Sequence, residues 1–262
     1  IEDFNSQKPL TKYVRHKKEK TRPVTPVLST FEIENLESGN YNLVIEVRNR
    51  ENQLIGMNKL FFQRSNPMPE RELADISTIS VENTFAGDIT EEQKLDAYIA
   101  SLEPIATESE VLVADKNLKD LQMKQQFFYR FWNERSPENP EQAWLTYLEE
   151  VKKVNDAYGT RIRKGYETDR GRVYLKYGPP NSISESYNEP SAYPYEIWHY
   201  YVLDGNQRNK KFVFSSQDIV TNSFQLIHSD AIGEVTNPRW QLEIHKRDYP
   251  MQNFDERRIP EH

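Results

Sequence analysis

Between residues 27 and 64 apolar and polar positions alternate with a period of two. In Tyr41–Arg48, Tyr41, Leu43, Ile45 and Val47 share one face, and Asn42, Val44, Glu46 and Arg48 share the other. Ser38-Gly39-Asn40 supplies a turn before this run, and the polar stretch Asn49–Gln53 separates it from a second run, Leu54–Phe62. Together with Phe31 and Ile33 these predict about three antiparallel strands, near the lower limit for a sheet that stands alone. A full immunoglobulin-like sandwich uses about seven. Residues 27–66 therefore read as the C-terminal strands of an Ig-like β domain, a partial sandwich, or as a sheet that packs on something else.

Past Pro67 and Pro69 a mixed segment, 67–88, reads as a linker, and the period then lengthens to that of a helix. Thr90-Glu91-Glu92-Gln93 has the capping-box pattern and precedes Leu95, Tyr98, Ile99 and Leu102 on one helical face, closed near Pro104. A short helical stretch to Leu112 follows. Asp115 is then expected to cap a longer helix whose Leu118, Leu121, Phe128, Phe131 and Trp132 form an inward stripe. Asn139-Pro140 starts the next by the N-cap and N1 preference, with Ala143, Trp144, Tyr147, Leu148, Val151, Val154 and Tyr158 on its face and Gly159 at its end. Joined by Ser136-Pro137-Glu138, the last two form a helical hairpin, and the helical part spans 89–160.

From Gly165 the period returns to two. Val173, Leu175 and Tyr177 alternate with Arg172, Tyr174 and Lys176, which predicts a strand stopped by Gly178-Pro179-Pro180. Tyr195–Val202, Lys211–Ser215 and Ser223–His228 read as further strands, the first pair joined through Leu203-Asp204-Gly205-Asn206. Asn237-Pro238 launches a C-terminal helix with Trp240, Leu242 and Ile244. The sheet part thus covers 165–248 and a flexible polar tail 249–262. The fold class is α+β: partial β-sandwich, helical hairpin region, then an antiparallel sheet with a C-terminal helix.

Composition sharpens this picture. Hydrophobic residues make up only 36% of the chain, yet Phe, Trp and Tyr make up 12%, so the core must be largely aromatic. A net charge of −7 argues against a nucleic-acid partner, which would need a basic face. The exception is local: residues 1–26 read as a basic extended arm. From Lys8 to Arg22 the arm is strongly basic without a hydrophobic repeat. Its Lys17 and Lys18 are candidate contacts for an acidic partner or anionic lipid headgroups. Cysteine is absent, so neither disulfides nor thiolate metal sites hold the fold. No apolar run approaches the ~18 residues that span a bilayer. A chain that starts at Ile1 leaves room for an upstream anchor and peripheral membrane association.

One stretch is more specific than the rest: Gly165-Tyr166-Glu167-Thr168-Asp169-Arg170-Gly171-Arg172-Val173-Tyr174, continuing to Tyr177-Gly178-Pro179-Pro180. It resembles the signature of the bacterial GWxTD-domain family, with Tyr166 in place of the family's Trp. The resemblance takes in Phe127–Trp132, the Glu196–Tyr200 run with Trp198, Phe212–Phe214 and Asn237–Trp240, and so covers about 90–245. It implies an exported cell-envelope protein, periplasmic or associated with the outer membrane, often with an Ig-like segment ahead of the domain. It implies no established activity. A looser analogy, in the order of helical hairpin, Gly-x-Pro and a strand with Trp-x-Tyr, is to small lipoproteins that assist outer-membrane assembly.

Within the signature, Thr168 or Asp169 is suited to cap a turn by accepting backbone N–H bonds, with Arg170 and Arg172 as counter-charges and Gly171 permitting close approach. That is a structural latch, and it assigns no catalytic residue. The alternative is a hydrolase in which Asp169 works with Glu196 or His199. Strand alternation sends Glu196 and His199 to opposite faces, so a joint site would need a bulge. His199 and His228 with a carboxylate would offer zinc ligands, but without metal-site spacing they read as packing residues, and no metal or cofactor is expected. The loop Ser182–Pro194, with Tyr187 and Tyr193, suits protein contact or a peptide or carbohydrate binder. The leading expectation is a non-catalytic envelope scaffold acting through protein contacts, as a complex subunit in an outer-membrane or secretion assembly.

Overall fold

The computed structural model, which describes residues 1–20, 22–67, 76–217 and 223–245, turns the alternating region into a hairpin of β2 (Gly39–Arg48) and β3 (Leu54–Arg64). A two-residue β1 (Glu2–Asp3) pairs antiparallel with β2 at Asn42 and Tyr41, giving the order β1-β2-β3. The third strand thus comes from the N-terminal segment. Phe31 and Ile33 lie outside any strand and pack instead against Tyr13, Leu36 and Tyr41. The arm is correspondingly shorter than expected. Phe4 and Tyr13 are buried, and Phe4 stands edge-on to Phe61 at 5.2 Å. The described residues from Val14 to Val24 are exposed and carry no regular structure. Burial fades along the hairpin: Tyr41 is covered, while Ile45, Val47 and Leu60 on the same face are exposed.

Four helices follow: α1 (Glu92–Ala100), α2 (Glu108–Lys116), α3 (Leu121–Arg135) and α4 (Pro140–Tyr158). Their caps differ from the predicted ones at two places. Thr90 does not cap α1; the capping box forms instead at Thr107 and Glu110, which begin α2. Because α2 runs on through Asp115, the cap of α3 passes to Asp120, whose carboxylate accepts from the Met123 N–H at 2.8 Å. Asn139 does cap α4, accepting from the Gln142 N–H at 3.1 Å. The helices close on rings: Trp144 lies 4.8 Å from Phe128, 5.7 Å from Trp132 and 4.6 Å from Tyr98. Of the expected linker, residues 76–88 belong to this core. Ile76 and Ala86 are fully buried there, and the amides of Gln125 and Gln126 donate to the carbonyls of Gly87, Ile89 and Ile79.

These elements, Ile1–Thr146 with Asp204–Asn206, make one compact unit; Tyr147–Leu203 with the chain from Gln207 onward makes the other. The second unit is built on an antiparallel sheet of β4 (Ser182–Ser186), β5 (Tyr195–Leu203), β6 (Gln207–Ser215) and β7 (Gln225–Ser229), in that order. Ser182–Ser186, expected to be loop, is its edge strand, paired from Ser182 opposite His199 to Ser186 opposite Tyr195. Trp198, Tyr200, Phe212, Phe214 and Leu226 cover one face. Val213 and Ile227 cover the other, beneath Trp240 and Ile244 of α6 (Trp240–Ile244).

The stretch predicted as the first strand of this sheet is a helix. Residues Asp169–Tyr177 form α5, which lays Val173, Tyr174 and Tyr177 on the Trp198 face. Those positions are spaced as one helical face, so the apolar set meant for a strand's side becomes a helix stripe. Gly178, at φ +80°, ends the helix by donating its N–H to the Tyr174 carbonyl at 2.8 Å, and the prolines after it prevent extension. The predicted tail, 249–262, lies outside the described residues.

Candidate functional site

The signature folds from the inside outwards. Gly165–Glu167 form a single 3-10 turn, closed by the Thr168 N–H on the Gly165 carbonyl at 3.1 Å. The Gly165 N–H in turn donates to Asn155 of α4 at 2.8 Å. Thr168 is the N-cap of α5: its hydroxyl accepts from the Gly171 N–H at 3.1 Å and donates to the Gly165 carbonyl at 2.7 Å. Two glycines let backbone touch backbone here. A Cβ on Gly165 would stand 2.6 Å from the Asn155 Cα, and one on Gly171 would overlap the Gly165 carbonyl oxygen and come within 2.7 Å of Val154 Cγ1. Replacing Thr168 with Ala removes both hydroxyl bonds at a buried cap. We expect a loss of about 1–2 kcal/mol in urea unfolding, largely restored by Thr168→Ser.

From this anchored turn α5 reaches three partners. Asp169, at its first position, accepts from the Leu226 N–H of β7 at 2.7 Å. Arg170 donates to Glu196 of β5 at 2.7 Å, with side chains only 12% and 4% exposed. The Arg170 guanidinium lies 4.2 Å from the Phe224 ring centroid and 5.0 Å from that of Tyr158. Glu196 also accepts from the Tyr187 hydroxyl at 2.7 Å and the Trp198 indole N–H at 2.9 Å. The Tyr187 phenol is pushed well above its ordinary range, by burial first and then by the bond to Glu196. Further along, Arg172 grips Glu234 through both terminal nitrogens, at 3.1 and 2.7 Å, while Lys176 and the Tyr177 hydroxyl add bonds of 2.8 and 2.7 Å. Burial alone would raise the Glu234 carboxyl. The hydrogen bonds and charges of Arg172 and Lys176 outweigh it and hold the group at about 2.

Several expected groupings separate. The two arginines do not serve Asp169 as ion partners but hold Glu196 and Glu234, and neither acid was singled out as the mate of an arginine. Glu234 sits in a loop with no motif around it. No bulge interrupts β5 between Glu196 and His199, so their side chains leave opposite faces, and Asp169 is bound elsewhere. The Nε2 atom of His199 is buried without a hydrogen-bond partner. His228 accepts from the Asn237 N–H at Nδ1, 3.1 Å away, and stacks on Trp240. The two histidines stand opposite Lys211 and Val213 of the intervening strand β6. Among the described residues no group of three His, Cys, Asp or Glu is placed to hold a metal ion. Tyr187 turns its hydroxyl inward to Glu196, and Tyr193 is half-buried, its N–H donating to the Ile244 carbonyl at 2.9 Å. Lys17 and Lys18 are exposed, Lys17 pairing with Glu19 at 3.0 Å.

A family model described as the GWxTD domain matches residues 73–246. The chain belongs to the GWxTD-domain family. The match begins inside the segment expected to be linker, in keeping with the burial of Ile76 and Ala86. No curated protein and no solved structure matches the chain. In this GWxTD protein the last two signature residues divide the labour: Thr168 caps α5, and Asp169 fastens it to β7. The aromatic position, Tyr166, is half-buried beside them. No helix among the described residues is long and apolar enough to cross a membrane.

Proposed function

We propose that this GWxTD protein is a non-catalytic docking module of the cell envelope, periplasmic or outer-membrane-associated, that binds a strand of a protein partner. The observation that carries this reading is the outer half of the β2–β3 hairpin. Ile45, Val47, Met57 and Leu60 are all more than half exposed, and β3 has a neighbour on one edge only. An apolar strand with an open edge is a template for strand addition: backbone bonds supply affinity, and alternate side chains extend the apolar face. A strand added there would also carry the sheet towards the sandwich that the Ig-like resemblance implies. The acids of the signature support the same reading, because Asp169, Glu196 and Glu234 are each committed to fastening elements together.

The test is recovery of a binding partner from the native envelope by the parent chain and by Ile45→Asp/Leu60→Asp, two exposed positions whose replacement leaves the cores intact. The parent is expected to retain a specific protein that the variant loses. The rival hydrolase is tested by Asp169→Asn. Asparagine keeps an oxygen to accept the Leu226 N–H, so stability is expected to hold. Turnover of a substrate by the parent, lost in that variant, would establish the enzyme instead.

A further inference from the structure

Apart from the hairpin, the second unpartnered surface is the basic arm, and it rests on different observations. Lys8, Lys12, Arg15, Lys17, Lys18, Lys20 and Arg22 are all exposed, with Glu19 as the one acid among them, a local excess of six positive charges in a chain whose total is −7. Little of this charge is neutralised internally. Lys17 pairs with Glu19 on the surface, Arg15 reaches only the carbonyls of Lys12 and Val14 at 3.5 and 3.4 Å, and Lys12 lies over the Tyr13 ring. Directly after the charges come Val24, Val27 and Leu28, exposed by 81%, 58% and 87%. Pro23 and Pro26 stand among them, so that stretch cannot close into a helix that would hide the apolar side chains.

We infer that the arm binds the anionic surface of a lipid bilayer, its lysines and arginines held at the headgroups while Val24, Val27 and Leu28 enter the interface. A cluster of basic residues is drawn to an anionic leaflet, and neighbouring apolar side chains add burial that a purely electrostatic partner would leave unused. Nucleic acid fits less well. Single strands are held by aromatic stacking, and the arm's aromatic residue, Tyr13, is 5% exposed and committed to the core with Leu36 and Tyr41. An acidic protein segment would draw on forked arginine contacts, whereas five of the seven cations are lysines, compact point charges suited to a diffuse surface.

The experiment is vesicle flotation of the full chain with phosphatidylcholine alone and with phosphatidylcholine containing about 30% phosphatidylglycerol. Binding is expected only to the anionic vesicles, weakening steeply between low salt and about 0.5 M, where the Debye length contracts. The Lys17→Glu/Lys18→Glu variant changes the arm by four charges and is expected to weaken binding at least about tenfold. Val27→Asp/Leu28→Asp should weaken it several-fold, and both variants should melt like the parent because the altered side chains are exposed. Equal affinity for neutral and anionic vesicles, no binding to either, or affinity untouched by the charge reversal would overturn the inference. So would tighter binding to a single-stranded oligonucleotide or to a polyglutamate peptide than to the anionic vesicles. The Ile45→Asp/Leu60→Asp chain should float like the parent, which separates this result from the fate of the strand-docking proposal.

Discussion

Gly171→Ala is expected to destabilise the protein by at least about 2 kcal/mol, although alanine is the better helix former by about 1 kcal/mol. The sign is decided by what surrounds the position. At an exposed site in a helix the methyl group would meet water and the propensity gain would survive. Here it overlaps the Gly165 carbonyl oxygen and stands 2.7 Å from Val154 Cγ1, and the first of these is backbone pinned by the Asn155 bond to the Gly165 N–H. No rotamer change relieves a clash with backbone. Either α5 shifts and strains the bonds from Asp169 and Arg170, or the 3-10 turn opens and loses the Thr168 cap. Thermal unfolding followed by circular dichroism should show a fall of about 4 °C or more. Gly56→Ala is the control: its methyl would meet only Val47 Cβ at 4.0 Å, an ordinary contact, and stability should move by no more than about 0.5 kcal/mol.

The second large effect is acid sensitivity through Glu234. Its carboxyl is held at about 2 in the folded protein, against an ordinary value of 4.5. A depressed carboxyl stabilises the folded state wherever both states are ionised. The contribution is therefore complete above about pH 4.5 and is lost as pH falls from there towards 2. A shift of this size corresponds to on the order of 3 kcal/mol. Urea unfolding of the parent and of Glu234→Gln between pH 7 and pH 2 should give two curves separated by roughly that amount near neutrality and converging in acid. A constant separation across the range would mean that the cluster of Arg172, Lys176 and Tyr177 does not hold the carboxylate charged.

Much of this arrangement was legible in the residues, and the failures share a cause. The β2 and β3 runs, the Asn139-Pro140 start of α4 and the turn between β5 and β6 are written in local pattern, where periodicity and turn chemistry agree. The misreading of α5 came from weighing one of two periods. Val173 and Tyr177 satisfy both alternation and helical spacing over so short a run. The deciding marks were at the ends: a threonine cap at 168 and a Gly-Pro stop at 178 and 179 bracket nine residues, the length of the helix found. β4, Ser-Ile-Ser-Glu-Ser, has almost no intrinsic strand character and becomes a strand because β5 offers it an edge. The acid partners of Arg170 and Arg172 lie 26 and 62 residues away, and no local rule reaches that far.

Glu196 gathers donors from α5, from the residue just after β4 and from the Trp198 indole, an aromatic group with no solvent exposure. Anything that draws Tyr187 off that carboxylate must redistribute charge beside the indole. The molecule therefore carries its own optical gauge: emission from Trp198 should register a change at the 187 loop without a label being attached.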